Sequence, residues 1–315
     1  MKCGKCQNPM IFLLQIYAED PNENNDPKCF HRTLFVFLCP KAECHNDENT
    51  LSFKVFRNQL PRENEFFSYQ SPVEQEDWEP NRNVSKYIQI CRTCGCRGEK
   101  TCVNCKQVHY CSRDHQVHDW SLQHKKECKN EAFKYMYSEN EEIKLGGLIL
   151  PQFEIIVQGD DEEVSDESDT DEPDFQKEIQ KIKELEQGSE LKINGSDLAQ
   201  FSTEEEVIKD KNFKRFLKTV QCDSRQIIRY HRKETPLWVS TEHLPNENDI
   251  PNCENCGDKR VFEFQIMPQL LSVLKLDKSM KEDSIDWGTL VIYTCEQSCT
   301  AKPYQPEFIW KQSMP

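Results

Sequence analysis

Apolar and aromatic positions gather in two separated regions of the chain, and their spacing there differs from that of the stretch between. Near the start, Phe12–Tyr17, Leu34–Leu38 and Leu51–Phe56 are short runs of aromatic, aliphatic and β-branched residues, the composition of half-buried strands. They predict a small antiparallel sheet within residues 1–60. Strand character returns in Leu237–Val239, Val261–Ile266, Leu290–Thr294 and Glu307–Trp310, which predicts a second sheet within 225–315. In between the period changes. Phe175, Ile179, Ile182 and Leu185 recur at three- and four-residue intervals, and Thr203–Val220 opens on Ser202 with Glu205 three positions on. The first is a helical face and the second a capping-box start, so helices are expected over 175–187 and 203–220.

The polar stretches divide the rest. Residues 61–90 carry Pro61, Pro72 and Pro80 and read as a linker. Residues 91–128 form a compact module, 129–158 a connector, 159–178 an acidic loop and 179–224 a helical segment. The chain has 315 residues, 36% hydrophobic and 30% charged, with a formal net charge of -15. That is less apolar than the ~45–50% usual for a globular protein, so part of the chain is expected to lie outside any packed core. From Gly159 to Glu178 there are eleven acidic residues and one Lys. Such a block buries too little apolar surface to offset its ordering entropy and is expected to be disordered. Ser165, Ser168 and Thr170 sit in it with acidic neighbours, as candidate phosphorylation sites; a plain solubilising linker is the alternative. No apolar run approaches the ~18 residues of a membrane span. The acidic balance also opposes sequence-independent phosphate binding, so no direct DNA binding is expected.

Lys2, Lys5 and the run Met10–Ala18 have the outline of a signal peptide. A Cys-x2-Cys pair in the basic region, Gln15 in the apolar run and Glu19-Asp20 at the cleavage position oppose it. Seventeen cysteines is an odd number, and most fall in pairs two to four residues apart. That suits metal in a reducing compartment better than disulfides, and a cytoplasmic location, with the nucleus as a second compartment, is expected.

The donors are arranged in pairs. The module 91–128 reads Cys91-x2-Cys94, Cys102-x2-Cys105, Cys111-x3-His115 and His124-x3-Cys128. Eight donors make two tetrahedral zinc sites, because structural zinc takes four thiolate or imidazole ligands. The interleaved pattern argues for a cross-brace, first pair with third and second with fourth, with nearest-neighbour pairing as the alternative. Cys3, Cys6, Cys39 and Cys44 would make another four-cysteine site, with Cys29 and His45 as competitors. Cys253, Cys256, Cys295 and Cys299 would make a fourth, where Gly257 supplies a permissive turn. About four zinc ions are therefore expected, two of them in the module. Four protein donors leave no position for a reactive water, so catalytic zinc is not expected. Cys29, Cys96 and Cys222 are left as free thiols. The order Cys pair, strand, strand, Cys pair, strand occurs at both ends of the chain, as an internal duplication or by chance. The fold class is read as α+β, small and zinc-stabilised: two β-rich zinc-knuckle halves packing as one body, with the double-zinc module inserted.

Tyr110–Trp120 followed by His124–Cys128 resembles a MYND finger, with His115 where that family usually has cysteine. The resemblance implies a peptide-binding module with a shallow groove for proline-containing segments, and Gln116 and Trp120 match groove positions. The alternative for Trp120 is packing over the metal shell. Val103 stands where some relatives carry a polar residue. Beyond the finger, Phe56–Arg62, Gln226–Tyr230, Pro236–Val239, Phe262–Leu271, Ile285–Gly288 and Glu307–Gln312 resemble stretches of the programmed cell death 2 family. Members usually carry a further segment before the first Cys-x2-Cys, so the start is read as shortened or incomplete. This resemblance implies a non-enzymatic adaptor or dedicated chaperone whose client is a newly made, basic small-subunit ribosomal protein, in support of 40S maturation. A nuclear scaffold recruiting proline-rich transcriptional co-regulators is the alternative. An enzyme is not expected, since no Gly-rich cofactor loop and no Asn-His-x-Cys type signature occurs. The client's basic segments would meet the acidic loop, and Trp238, Trp287 and Trp310 would offer the specific contact, or else belong to the core.

Overall fold

The computed structural model describes residues 1–18, 29–71, 88–130, 134, 150–151, 153–156, 210–276 and 284–314. The acidic loop, Ser165, Ser168, Thr170 and the helix expected over 175–187 lie outside the described residues. The chain divides into two compact units, Met1–Cys44 with Leu51–Phe153 and Thr300–Pro306, and His45–Thr50 with Glu154–Cys299 and Glu307–Pro315.

In the first unit β1 (Ile11–Tyr17), β2 (His31–Leu38) and β3 (Phe53–Leu60) form an antiparallel meander. Alternation decides which face is buried: Leu34, Val36 and Leu38 of β2 and Phe53 and Val55 of β3 all point into the core. In β1 both Leu13 and Leu14 are buried, because a bulge between Phe12 and Leu14 inserts one residue and resets the face. The finger lies in the same unit, with a short hairpin of β4 (Lys100–Thr101) and β5 (His109–Tyr110) followed by the helix Arg113–Asp119. Ser112 starts that helix by accepting from the His115 amide at 3.2 Å. The helix runs on through a widened turn, Trp120–His124, into Lys125–Glu127.

In the second unit β6 (Ile228–Tyr230), β7 (Arg260–Ile266), β8 (Thr289–Cys295) and β9 (Gln305–Gln312) pair antiparallel in that order. Every residue of β8 is buried. The helix Lys211–Cys222 packs Phe213, Phe216, Leu217 and Val220 against Leu237, Val239 and Met267. These four recur at helical spacing, and each fully buried side chain of this size contributes roughly 1.5–3 kcal/mol.

Two expected elements differ from the structure. The helix expected over 203–220 begins at Lys211 in the described residues. Asp210 is extended and accepts from the Asn212 and Phe213 amides at 2.8 and 3.3 Å, so it is the cap and not an interior residue. Leu237–Val239 forms no ladder. Its buried amides go instead to two glutamine side chains, Leu237 N to Gln265 Oε1 at 2.7 Å and Val239 N to Gln312 Oε1 at 2.8 Å. Trp287 is wholly buried, while Trp238 and Trp310 are half-buried against Phe262, Val291 and Tyr293.

The two units repeat one plan. In each, a cysteine pair precedes a bulged strand, a second strand ends in another pair, and a third strand follows. The bulge falls at the same place, between Phe12 and Leu14 and between Phe262 and Phe264. Edge-to-face rings span the strands beside it, Phe12 on Phe37 at 5.7 Å and Phe262 on Tyr293 at 6.4 Å.

Candidate metal centres

Four turns hold the first half of each donor set, and all four are closed the same way. The amide four residues after the first cysteine bonds back to that cysteine's carbonyl: Gln7 to Cys3 at 3.0 Å, Gly95 to Cys91, Lys106 to Cys102 and Gly257 to Cys253, each at 2.9 Å. That residue has a left-handed backbone every time, with φ of 60° at Gln7, 71° at Gly95, 56° at Lys106 and 78° at Gly257. Glycine adopts this conformation freely, whereas Gln7 and Lys106 carry a steric cost of about 1 kcal/mol. The turn leaves amides aimed at the first sulfur, as with Lys5 N at 3.4 Å from Cys3 Sγ.

The four predicted groups come together, each with its donor atoms within 4.8 Å of one another. Cys3, Cys6, Cys39 and Cys44 form one, with Cys6 and Cys39 sulfurs 3.6 Å apart. Neither Cys29 nor His45 joins it. In the finger the first and third pairs meet: Cys94 lies 3.5 Å from Cys111, and His115 Nδ1 lies 3.2 Å from Cys111 and 3.7 Å from Cys91. The second and fourth pairs meet likewise, Cys102 3.8 Å from Cys128 and Cys105 3.7 Å from His124 Nε2. The arrangement is the cross-brace. In the fourth group Cys253–Cys299 and Cys256–Cys295 are both 3.5 Å apart, and Cys295–Cys299 3.7 Å.

A zinc tetrahedron with Zn–S near 2.3 Å has edges of about 3.8 Å, which these separations match, whereas a disulfide needs about 2.05 Å. The ionisation pattern points the same way. Burial pushes the Cys39, Cys295 and Cys299 thiols up, and takes Cys44 and Cys128 up to about 11. At the turns burial is outweighed. The Cys105 amide, His124 and the Asn104 amide hold Cys102 down at about 6, and the Cys256 and Asn255 amides hold Cys253 at about 7. The third and fourth sets thus each join a thiol held low by amides to thiols that burial keeps protonated, and a divalent ion at the centre suits both. Zinc is the cofactor that these donor sets and the finger take.

Behind the ligands stand buried ion pairs that the spacing of donors did not reveal. Arg92 contacts Glu127 at 2.6 Å and Asp119 at 3.6 Å, Asp119 accepts from the Tyr110 hydroxyl at 2.6 Å, and Glu127 lies 3.9 Å from His124 Nδ1. The Nδ1 side of the imidazole, away from the Cys105 sulfur, thus faces a network of charged groups. In the second unit Glu307 accepts from Arg260 Nε and from the Cys295 amide, both at 3.1 Å, while Arg260 donates to the carbonyls of Pro251 and Asn252 at 2.6 and 2.7 Å. One pair therefore ties the chain entering Cys253 to Cys295. Arg232 and Glu263 form a second buried pair at 3.0 Å, and Arg232 also reaches the Cys295 and Glu296 carbonyls. Arg260, Glu263 and Glu307 stand out in the sequence as charges inside otherwise apolar strands, whereas Arg92, Asp119, Glu127 and Arg232 lie outside strands.

The two groove candidates of the finger are not metal donors. Gln116 is half-buried on the helix, and the Trp120 ring packs edge-on to His124 at 5.7 Å, over the metal shell. Val103 is exposed. Cys96 is half-buried, 3.8 Å from the Met10 carbonyl.

Comparison with known proteins matches three family models: "Programmed cell death protein 2, N-terminal domain" over residues 1–74, "MYND finger" over 91–128, and "Programmed cell death protein 2, C-terminal putative domain" over 210–313. Programmed cell death protein 2 of Mus musculus is 38% identical over 324 residues, covering 100% of this chain and 85% of the relative. Programmed cell death protein 2-like of Mus musculus is 29% identical over 311 residues, 95% of this chain and 80% of the relative. A Schizosaccharomyces pombe relative named "Probable 20S rRNA accumulation protein 4" is 28% identical over 100 residues, 29% of this chain and 24% of its own. No solved structure matches the chain.

Proposed function

The chain belongs to the programmed cell death protein 2 family, and on that premise we propose that it is a non-enzymatic adaptor, a dedicated chaperone for a newly made, basic small-subunit ribosomal protein during 40S maturation. The observation that carries the reading is the closure of all four donor sets, each with four protein donors. Such centres fix a shape and leave no coordination position for a substrate or a reactive water, so the zinc serves binding surfaces and not a reaction. The name of the fission-yeast relative, which concerns 20S rRNA accumulation, supports a place in ribosome production. The net charge of -15, concentrated in Gly159–Glu178, supports a basic client, because a polyanion raises the encounter rate with a polycation. Cytoplasm, where ribosomal proteins are made, is the compartment this role requires, with the nucleus as a second.

The test is the set of proteins that co-purify with the tagged full chain, with and without nuclease. One free small-subunit ribosomal protein should dominate, and should persist after nuclease. Whole ribosomal particles lost on nuclease treatment, or a set of proline-rich transcriptional regulators, would refute the reading.

A further inference from the structure

The first unit carries a surface that the metal centres do not use. Tyr17 at the end of β1, Phe30 just before β2, and Phe66, Phe67 and Tyr69 in the loop after β3 are each between 43 and 69% exposed. Five large rings in water are costly unless they have a use, and these belong together. The Tyr17 hydroxyl bonds the Phe30 carbonyl at 3.0 Å, and His31 stacks on Phe67 at 4.2 Å while meeting the edges of Tyr17 and Phe30. The loop that presents them is built. Asn64 Oδ1 accepts from the Phe66 and Phe67 amides at 2.8 and 3.2 Å, its Nδ2 donates to the Pro61 carbonyl at 2.8 Å, and its own amide bonds the Phe67 carbonyl at 3.0 Å. The rings are thus held outward by a formed turn.

Two features state the chemistry the surface suits. The Arg62 guanidinium lies over the Phe30 ring at 5.1 Å and over the Tyr69 ring at 4.0 Å, so these faces already hold an arginine side chain. Glu63 and Glu65 are exposed in the same loop and supply carboxylates beside the rings. Aromatic faces flanked by acids match a guanidinium better than an ammonium, because the planar cation stacks on a ring and leaves its N–H edge for a carboxylate.

We propose that the patch Tyr17–Phe30–Phe66–Phe67–Tyr69, with Glu63 and Glu65, docks an extended, arginine-containing basic segment of a protein partner, with arginines on the rings and their edges on the carboxylates. This rests on the reading above that the partner is a basic protein, and gives that partner a place on the first unit.

The test uses the full zinc-loaded chain, the triple variant Phe66→Ala/Phe67→Ala/Tyr69→Ala and the charge variant Glu63→Gln/Glu65→Gln. The probes are fluorescein-labelled peptides of repeating Gly-Arg-Gly, their Gly-Lys-Gly counterparts and a proline-rich peptide, followed by anisotropy. Phe66, Glu63 and Glu65 contact mainly solvent, whereas Phe67 stacks on His31 and Tyr69 on Arg62, and an unchanged zinc content verifies folding. The arginine peptide should bind the parent more tightly than the lysine peptide of equal charge. The triple variant should lose about tenfold in affinity for it, the effect of removing two or three exposed cation–π contacts, with little change for lysine. The charge variant should weaken both. Equal arginine and lysine affinities, undiminished binding by the triple variant, saturation by the proline-rich peptide, or self-association abolished by the triple variant would each overturn the proposal. If the arginine preference holds while no ribosomal protein co-purifies, the client reading alone fails. If a ribosomal protein co-purifies equally with parent and triple variant, the patch alone fails.

Discussion

Replacing Glu307 by alanine should loosen the fourth metal centre from behind without touching a ligand. The carboxylate is wholly buried, and the Arg260 side chain it pairs with is 3% exposed. Its Oε2 accepts from both Arg260 Nε and the Cys295 amide at 3.1 Å, and Arg260 in turn holds the two carbonyls that precede Cys253. Removing it leaves a buried guanidinium without its counter-charge, a loss of about 3–5 kcal/mol. The orphaned amide belongs to a zinc donor, so the second effect is on metal affinity, about 10- to 100-fold for a supporting partner of a ligand. Glu307→Gln keeps one acceptor oxygen and removes the charge, and should lie between the two. Urea unfolding followed by tryptophan fluorescence reads mainly the second unit, which holds Trp238, Trp287 and Trp310 of the five tryptophans, and zinc competition with a chelating dye reads the metal. An alanine variant within 1 kcal/mol of the parent with unchanged zinc affinity would refute the reasoning. So would alanine and glutamine variants that behave alike, because the charge would then count for nothing.

Gln7→Gly and Lys106→Gly should each raise stability by roughly 0.5–1 kcal/mol and slow zinc loss to a chelator, since both residues sit at positive φ. Gly257→Ala should do the reverse by about 1 kcal/mol through backbone strain alone, because a Cβ there meets nothing within 4 Å. Trp287→Ala should cost about 3–5 kcal/mol in the same urea assay, as a wholly buried ring whose Nε1 donates to the Met267 carbonyl. Deleting 159–178 should slow association with the purified client and flatten its salt dependence in stopped-flow mixing, with little loss of equilibrium affinity.

The metal centres were legible because a knuckle is local: two sulfurs three residues apart and one turn between them appear in the sequence as they stand in space. The interleaving of the pairs points to the cross-brace, but spacing alone leaves nearest-neighbour pairing open, since the outcome depends on how the hairpin β4–β5 folds back before the helix. The left-handed turn could be read at Gly257 and not at Gln7 or Lys106, where the bond to the first cysteine's carbonyl overrides residue preference. Most strands followed from aromatic and β-branched runs. Leu237–Val239 looked like one of them, but its amides are met by Gln265 and Gln312, partners 28 and 73 residues away that no local pattern contains. Asp210, inside the expected helix but its cap in the structure, escaped notice for a similar reason, since it also accepts from the Thr241 amide at 2.7 Å. Trp287, Arg260 and Glu307 show the same limit, because burial and ion pairing are set by strands distant in sequence.

The zinc content of the purified full chain tests the central claim most directly. Elemental analysis should return about four ions per chain, one for each four-donor cluster. Cobalt substituted for zinc should give only the absorption of four-coordinate, thiolate-rich tetrahedral centres. Two ions per chain would confine metal to the finger and remove the zinc-stapled sheets, and a centre that coordinates water would contradict the closed, non-catalytic role.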